Sequence, residues 1–206
     1  MTLPWLHPTW RVRLASASAR RAELLRQVGI AAEICPVNLD ETVHPGEQPH
    51  AYVARMAREK GARALGPGAD LVIAADTAVI LGETILGKPA DAAAAVAMLQ
   101  GLSGRKHLVL SGVAVYRPDG DLRERVVATG VWFKTLTPEE IAAYVASGEP
   151  MDKAGAYGIQ GLGAFMVARV EGSYSGVVGL PLCETLTLMT ELIAPDRKSP
   201  LAEQSR

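Results

Sequence analysis

Asp76 follows the apolar run "LVIAA", where a strand of an open α/β sheet would hand its end to a crevice, so its carboxylate faces a ligand or a metal, or else caps a turn. "ADT" alone leaves both readings open. Mg²⁺ is held by few carboxylates plus substrate phosphates, and the polar loop "NLDETVHPGEQP" offers Glu41, with Asp40 beside it, as an oxygen partner. Two lysines suit the same chemistry. Lys60 shares a helical stripe with Val53, Met56 and Ala57, and Lys88 sits in "LGKPAD"; each is either a point charge for phosphate oxygens or a surface charge on a long stem.

"RLASASARRAELLRQVGI" places Arg20 and Arg21 in the first turn of a helix, at the positive end of its dipole and beside N–H groups without partners. Both arginines point to water, or an anion sits there: a Ser-rich turn, free N–H groups and guanidinium forks together suit a polyphosphate. On that reading, replacing Arg21 weakens anion binding and leaves stability unchanged. "SGEPMDKAGAYGIQG" carries four glycines, which serve a turn-rich connection or a close approach to a ligand. Its Gln160 amide donates and accepts at once, as the edge of a uracil or thymine ring requires. "GSYSGVVGLPL" is a second Gly- and Ser-rich loop entering a helix through Pro181.

The elements that must position these groups follow from periodicity and turn chemistry. "RVRLA" reads as a strand, Ser18 to Val28 as a helix stopping at Gly29, "AAEICPV" as a strand, and Pro49 to about Leu65 as a helix. "DLVIAADTAVILGETIL" holds a buried strand and a hairpin turning at Leu81 to Glu83, and Asp91 caps an Ala-rich helix ending near Leu102. "HLVLSGVAVY" and "RERVVATGVWFKT" form an antiparallel hairpin through "RPDGD". "TPEEIAAYVASG" is a capped helix, residues 163–171 a strand, and Pro181 to about Ile193 the last helix. Alternating elements early and antiparallel ones late give an α/β fold with a mixed sheet.

At 206 residues the chain suits one large α/β domain, and 21 Lys and Arg against 22 Asp and Glu exclude a global basic field for long nucleic acid. Any anion site is local. Cys35 and Cys183 have no metal or redox spacing and read as free, packed thiols of a reducing cytoplasm. No signal-peptide pattern and no apolar run of the roughly 20 residues that span a membrane are present. There is no G-x-G-x-x-G, Walker loop, zinc spacing or G-x-S-x-G, and His7, His44, His50 and His107 are scattered and assigned no catalytic role.

Taken in order, "LASASARR", "DET", "AREKG", "AADTAV", "GKP", "SGEPMDKAGAYGIQG" and "GSYSGVVGLPL" resemble the Maf family of nucleoside triphosphate pyrophosphatases. The resemblance covers residues 11–193, leaving an N-terminal extension at 1–10 and a tail at 194–206 expected to be disordered. It implies an inosine triphosphatase-like fold: an elongated mixed sheet flanked by helices, two lobes with a central cleft, and a homodimer. The implied reaction cleaves a nucleoside triphosphate between the α and β phosphates with a divalent cation, Mg²⁺ or Mn²⁺. Carried over by motif, Ser16, Arg20 and Arg21 form the phosphate loop, Glu41 is the loop acid, Asp76 the general base, and Lys60 and Lys88 the cleft lysines. The catalytic set is Asp76, Glu41 and Lys88, and Glu41 and Asp76 hold the metal; whether Asp76 binds metal, takes the proton or does both stays open. Ala19 stands where the family usually has proline, which removes a preset φ but no functional group.

Arg20, Thr77 and Gln160 match the branch acting on dTTP and UTP rather than the one preferring 7-methyl-GTP. Two other classes remain as alternatives. One is a non-catalytic nucleotide-binding regulator of septum formation, which has no need of carboxylates beside a triphosphate. The other is a purine triphosphate pyrophosphatase acting on inosine, xanthosine or 7-methyl-GTP nucleotides, which Gln160 disfavours.

Overall fold

The sheet begins at Val12–Leu14 (β1), which pairs in parallel with Ala32–Ile34 (β2) on one side and with residues 71–73 on the other. Those three open the eleven-residue strand Leu71–Leu81 (β3). In this computed structural model, which describes residues 10–193, β3 continues through Asp76 rather than ending before it. Asp76 is therefore a mid-strand residue, a correction to the expected strand end. Thr84–Leu86 (β4) folds back on residues 79–81, and Lys106–Tyr116 (β5) pairs antiparallel with β3 from Val72 to Ile80. Leu122–Phe133 (β6) and Val167–Glu171 (β7) complete the order β2-β1-β3-β5-β6-β7.

This register makes a gap. Because β5 occupies one edge of β3, β1 and β4 share the other, and residues 74–78 have no strand partner between them. Strand side chains alternate between faces. Leu71, Ile73 and Ala75 accordingly join one core with the helices Ala19–Gln27 (α1) and Leu182–Ile193 (α6), while Val72, Ala74, Ala78 and Ile80 pack on the other face under Pro49–Arg63 (α2). Ala92–Leu102 (α3) and Pro138–Ala146 (α4) cover a further core that includes Val79, Val109, Val131 and Phe133. Full burial of Val53 and Met56 on α2 stabilises by roughly 1.5–3 kcal/mol each, which is what fixes that helix on the sheet.

Three local expectations are corrected. Residues 163–166 belong to a 3₁₀ segment, Gly161–Met166, because two glycines and tight turn bonds replace the extended backbone there. The loop expected before Pro181 contains a short helix, Tyr174–Val178 (α5), capped by the Ser173 hydroxyl, which accepts from the Gly176 N–H. Cys183 is exposed rather than packed, and neither cysteine is paired. No described helix is long and apolar enough to cross a membrane. The N-terminal extension up to residue 9, with His7, and the tail from residue 194 lie outside the described residues.

Candidate active site

At the gap in the β3 edge, strand alternation sends the consecutive residues Asp76 and Thr77 to opposite faces of the sheet. Asp76 points toward α2, where the Lys60 ammonium lies 2.7 Å from its Oδ1 and 2.6 Å from Glu41 Oε1. Lys60 does not reach the surface: its side chain is only 9 % exposed, a correction to the alternative of a surface charge. Gly112, the register partner of Asp76, explains how α2 comes so near. A Cβ there would lie 2.3 Å from the Val53 carbonyl oxygen, so only glycine permits this approach.

Glu41 sits in an irregular segment, which α2 holds in place. The Tyr52 hydroxyl donates to the Glu41 carbonyl at 3.1 Å, and Arg55 donates to the Thr42 carbonyl at 3.0 Å while pairing with Glu47. Burial works to raise the Glu41 carboxyl, but the Lys60 hydrogen bond and the charges of Lys60, Lys88 and Arg21 outweigh it and hold it below its ordinary value. Asp40, the other acid of this loop, is not brought to the site; its exposed carboxylate accepts from the Thr42 N–H and closes a local turn.

Thr77 points to the opposite face, toward α1. Its hydroxyl donates to the Gly179 carbonyl and accepts from Arg21, whose guanidinium also donates to Gly179 O at 2.8 Å and to Ser16 Oγ at 3.1 Å. Burial is the largest influence on Arg21 and pushes its pKa below the ordinary arginine value, against the opposing pull of Asp76. The pairing of Arg20 and Arg21 is thus unequal. Arg21 ties α1 to β3 and to the segment after α5, so its removal takes one partner each from Gly179 O and Ser16 Oγ and is expected to cost stability, where the sequence alone suggested no cost. Arg20 instead reaches across the cleft to Asp152 at 3.3 Å.

The glycine-rich stretch forms the facing wall as short 3₁₀ turns, Glu149–Asp152 and Ala154–Ala156. Ala156 has φ +59°, the only non-glycine residue with positive φ among the described residues. Two anchors hold this strained segment: Gly155 N–H donates to Gly87 O at 3.0 Å, and the Tyr157 hydroxyl is 2.7 Å from His107 Nε2. His107 is buried against Phe133 and Tyr157, and burial pushes its pKa down to about 4. Gln160 lies three residues beyond Tyr157, exposed on the cleft wall.

Together these walls enclose a cleft of about 820 Å³ whose lining includes Ser16, Arg20, Arg21, Glu41, Lys60, Asp76, Thr77, Lys88 and Gln160. The structure thus brings every sequence-nominated site residue except Asp40 to one cleft. Lys88 is exposed there and makes no hydrogen bond or ion pair with the described residues. Sequence reasoning passed over Asp152, Lys153, Tyr52 and Tyr157. The first two were visible in "MDKAG", where attention to the glycines hid the charged pair, whereas the alignment of Tyr52 with Glu41 required the fold.

For a divalent cation the protein supplies the Glu41 and Asp76 carboxylates, which both meet the Lys60 ammonium, and no group of three or more His, Cys, Asp or Glu that could hold a metal ion occurs among the described residues. Two hard oxygen donors fit Mg²⁺ or Mn²⁺ whose remaining positions are filled by phosphate oxygens and water.

The fold resembles a HAM1 protein from Coxiella burnetii, with TM-score 0.53 at 13 % identity over 89 % of this chain and 100 % of that one. By sequence the chain is 55 % identical over 185 residues to a dTTP/UTP pyrophosphatase of Anaeromyxobacter sp. strain Fw109-5, covering 87 % of this chain and 88 % of the relative. Proteins with the same description from Geobacter sulfurreducens and Escherichia coli O157:H7 are 50 % and 49 % identical, over 85 % and 88 % of this chain and 93 % and 92 % of theirs. The family model for Maf-like proteins matches residues 11–192, nearly the whole described chain, and the chain belongs to the Maf-like protein family.

Proposed function

We propose that this chain is a nucleoside triphosphate pyrophosphatase that converts UTP and dTTP to the monophosphate and pyrophosphate. The observation that carries the reading is the buried Lys60 bridging Glu41 and Asp76 at the floor of a cleft rimmed by Arg20, Lys88 and Lys153. A binder of triphosphate has no need for two carboxylates at that point, since they repel the ligand; a hydrolase uses them. The relatives described as dTTP/UTP pyrophosphatases support the same substrate class.

Arg20, Lys88 and Lys60 neutralise the triphosphate, and Arg21 with Ser16 shapes the loop that receives it. The attacking water bonds to the α phosphorus and gives a proton to Asp76 as the bond from that phosphorus to the α–β bridging oxygen breaks, and pyrophosphate leaves with the bridging oxygen. A divalent cation held by Glu41 and Asp76 would neutralise phosphate charge and acidify water. Gln160 donates to a ring carbonyl and accepts from the ring N–H of uracil or thymine. Thr77 acts on specificity indirectly, through the Gly179 carbonyl and Arg21. The homodimer belongs to the same reading, and sedimentation velocity measures it.

Pyrophosphate release from a panel of nucleoside triphosphates with Mg²⁺ or Mn²⁺ tests the proposal. UTP and dTTP are expected ahead of CTP by about tenfold or more, because a mismatched pairing edge leaves a buried polar group unpaired. Absence of pyrophosphate, or its replacement by orthophosphate, overturns the assignment.

A further inference from the structure

Asp152 is a carboxylate at the mouth of a cleft otherwise rimmed by cations. Its Oδ2 lies 3.3 Å from Arg20 and its Oδ1 2.7 Å from the largely buried Lys153 ammonium, which also donates to the Glu149 carbonyl at 2.5 Å, so the one carboxylate contacts two cleft cations. Gly158 makes room for the second of these, since a Cβ there would sit 2.9 Å from the Lys153 stem. The two ends of the Arg20–Asp152 pair belong to different cores. Arg20 rides on α1, buried through Leu24 and Leu25 with β1 and α6, whereas Asp152 follows Met151, which packs with α3 and α4. The contact joins residues 132 apart in sequence across the cleft.

Asp152 is 65 % exposed and Arg20 40 % exposed, which makes their bond weak and readily exchanged. A phosphate group brings more charge and three acceptor oxygens to the same two cations. We propose that Asp152 is a placeholder for a phosphate of the polyphosphate chain: it parks Arg20 and Lys153 in the ligand-free protein and yields them when the ligand enters. The proposal rests on the triphosphate reading of the cleft. It makes Asp152 a determinant of how tightly polyphosphates are held, because the carboxylate competes with the entering substrate and with the departing pyrophosphate for the same cations.

The test is titration calorimetry with inorganic tripolyphosphate, without divalent metal, on the wild-type chain, Asp152→Asn, Arg20→Ala and the double variant, each checked for a wild-type melting curve. Asp152→Asn is expected to bind about five- to tenfold tighter, with the gain shrinking as salt rises. In the Arg20→Ala background the gain should shrink, because only Lys153 is then left for Asp152 to release, and an undiminished gain overturns the role of the Arg20 contact. Asp152→Glu keeps the charge and should stay near wild type; it also serves if the asparagine variant melts early. Equal or weaker binding by a folded Asp152→Asn overturns the placeholder role. Pyrophosphate release from UTP by the wild-type chain is measured in parallel. Its failure sinks the catalytic reading, while the tripolyphosphate series judges Asp152 separately.

Discussion

At the α2 end of the cleft Lys60 and Asp76 are buried and 2.7 Å apart, whereas at the opposite wall Arg20 and Asp152 meet at 3.3 Å with both side chains in contact with solvent. Both are ion pairs in one cleft, yet they differ in what can happen to them. The buried pair is held by packing of a whole helix and by the absence of a side chain at Gly112, so its geometry is fixed before any ligand arrives. The exposed pair joins α1 to a short 3₁₀ turn and exchanges partners at little cost. Rigid charge suits chemistry, which needs preorganised groups, and exchangeable charge suits admission and release.

The largest effect expected from this division is at the buried end. Asp76→Asn keeps the shape and removes the charge, and kcat for UTP should fall by about a thousandfold or more. Retention of the rate within about tenfold would break the comparison, because the fixed pair would then be structural.

A smaller effect concerns the anchor of the opposite wall. His107 has its pKa lowered by burial from 6.5 to about 4, so the unfolded chain binds its proton more readily. Its contribution is fully present above about pH 6.5 and is lost as pH falls toward 4, worth about 3 kcal/mol at most. Denaturant melts across that range should show the loss in the wild-type chain and a flatter profile in His107→Gln. Identical profiles would mean that His107 does not remain neutral in the fold.

Arg21→Ala should lower stability by about 1–3 kcal/mol, since Gly179 O and Ser16 Oγ lose a partner. Arg20→Ala should leave the melting temperature close to wild type. If the two variants melt alike, the unequal roles of these neighbours are wrong.

How much of this was legible in the sequence depends on the kind of signal. The helix capped by Ser18, the Asp-Gly hairpin and the Thr137–Glu140 capping box are local, and they appear where turn and cap chemistry put them. The cleft residues could be nominated because charged side chains on apolar stripes are costly unless partnered. Their partners could not. Lys60 and Asp76 meet only because β3 runs on past the end of β1, and the position of that gap is set by long-range register. For the same reason consecutive Arg20 and Arg21 looked equivalent, although α1 turns one toward Gly179 and the other toward Asp152.

The central claim is that the buried end performs the reaction while the facing wall selects the ligand, and Gln160→Glu addresses it most directly. A carboxylate at this position accepts but does not donate to a ring carbonyl. Measured as kcat/KM for UTP, CTP and a purine triphosphate, the variant should lose about tenfold to a hundredfold on UTP and much less on the purine. An equal loss on all three would contradict the account, because Gln160 would then hold the wall in place without reading the base.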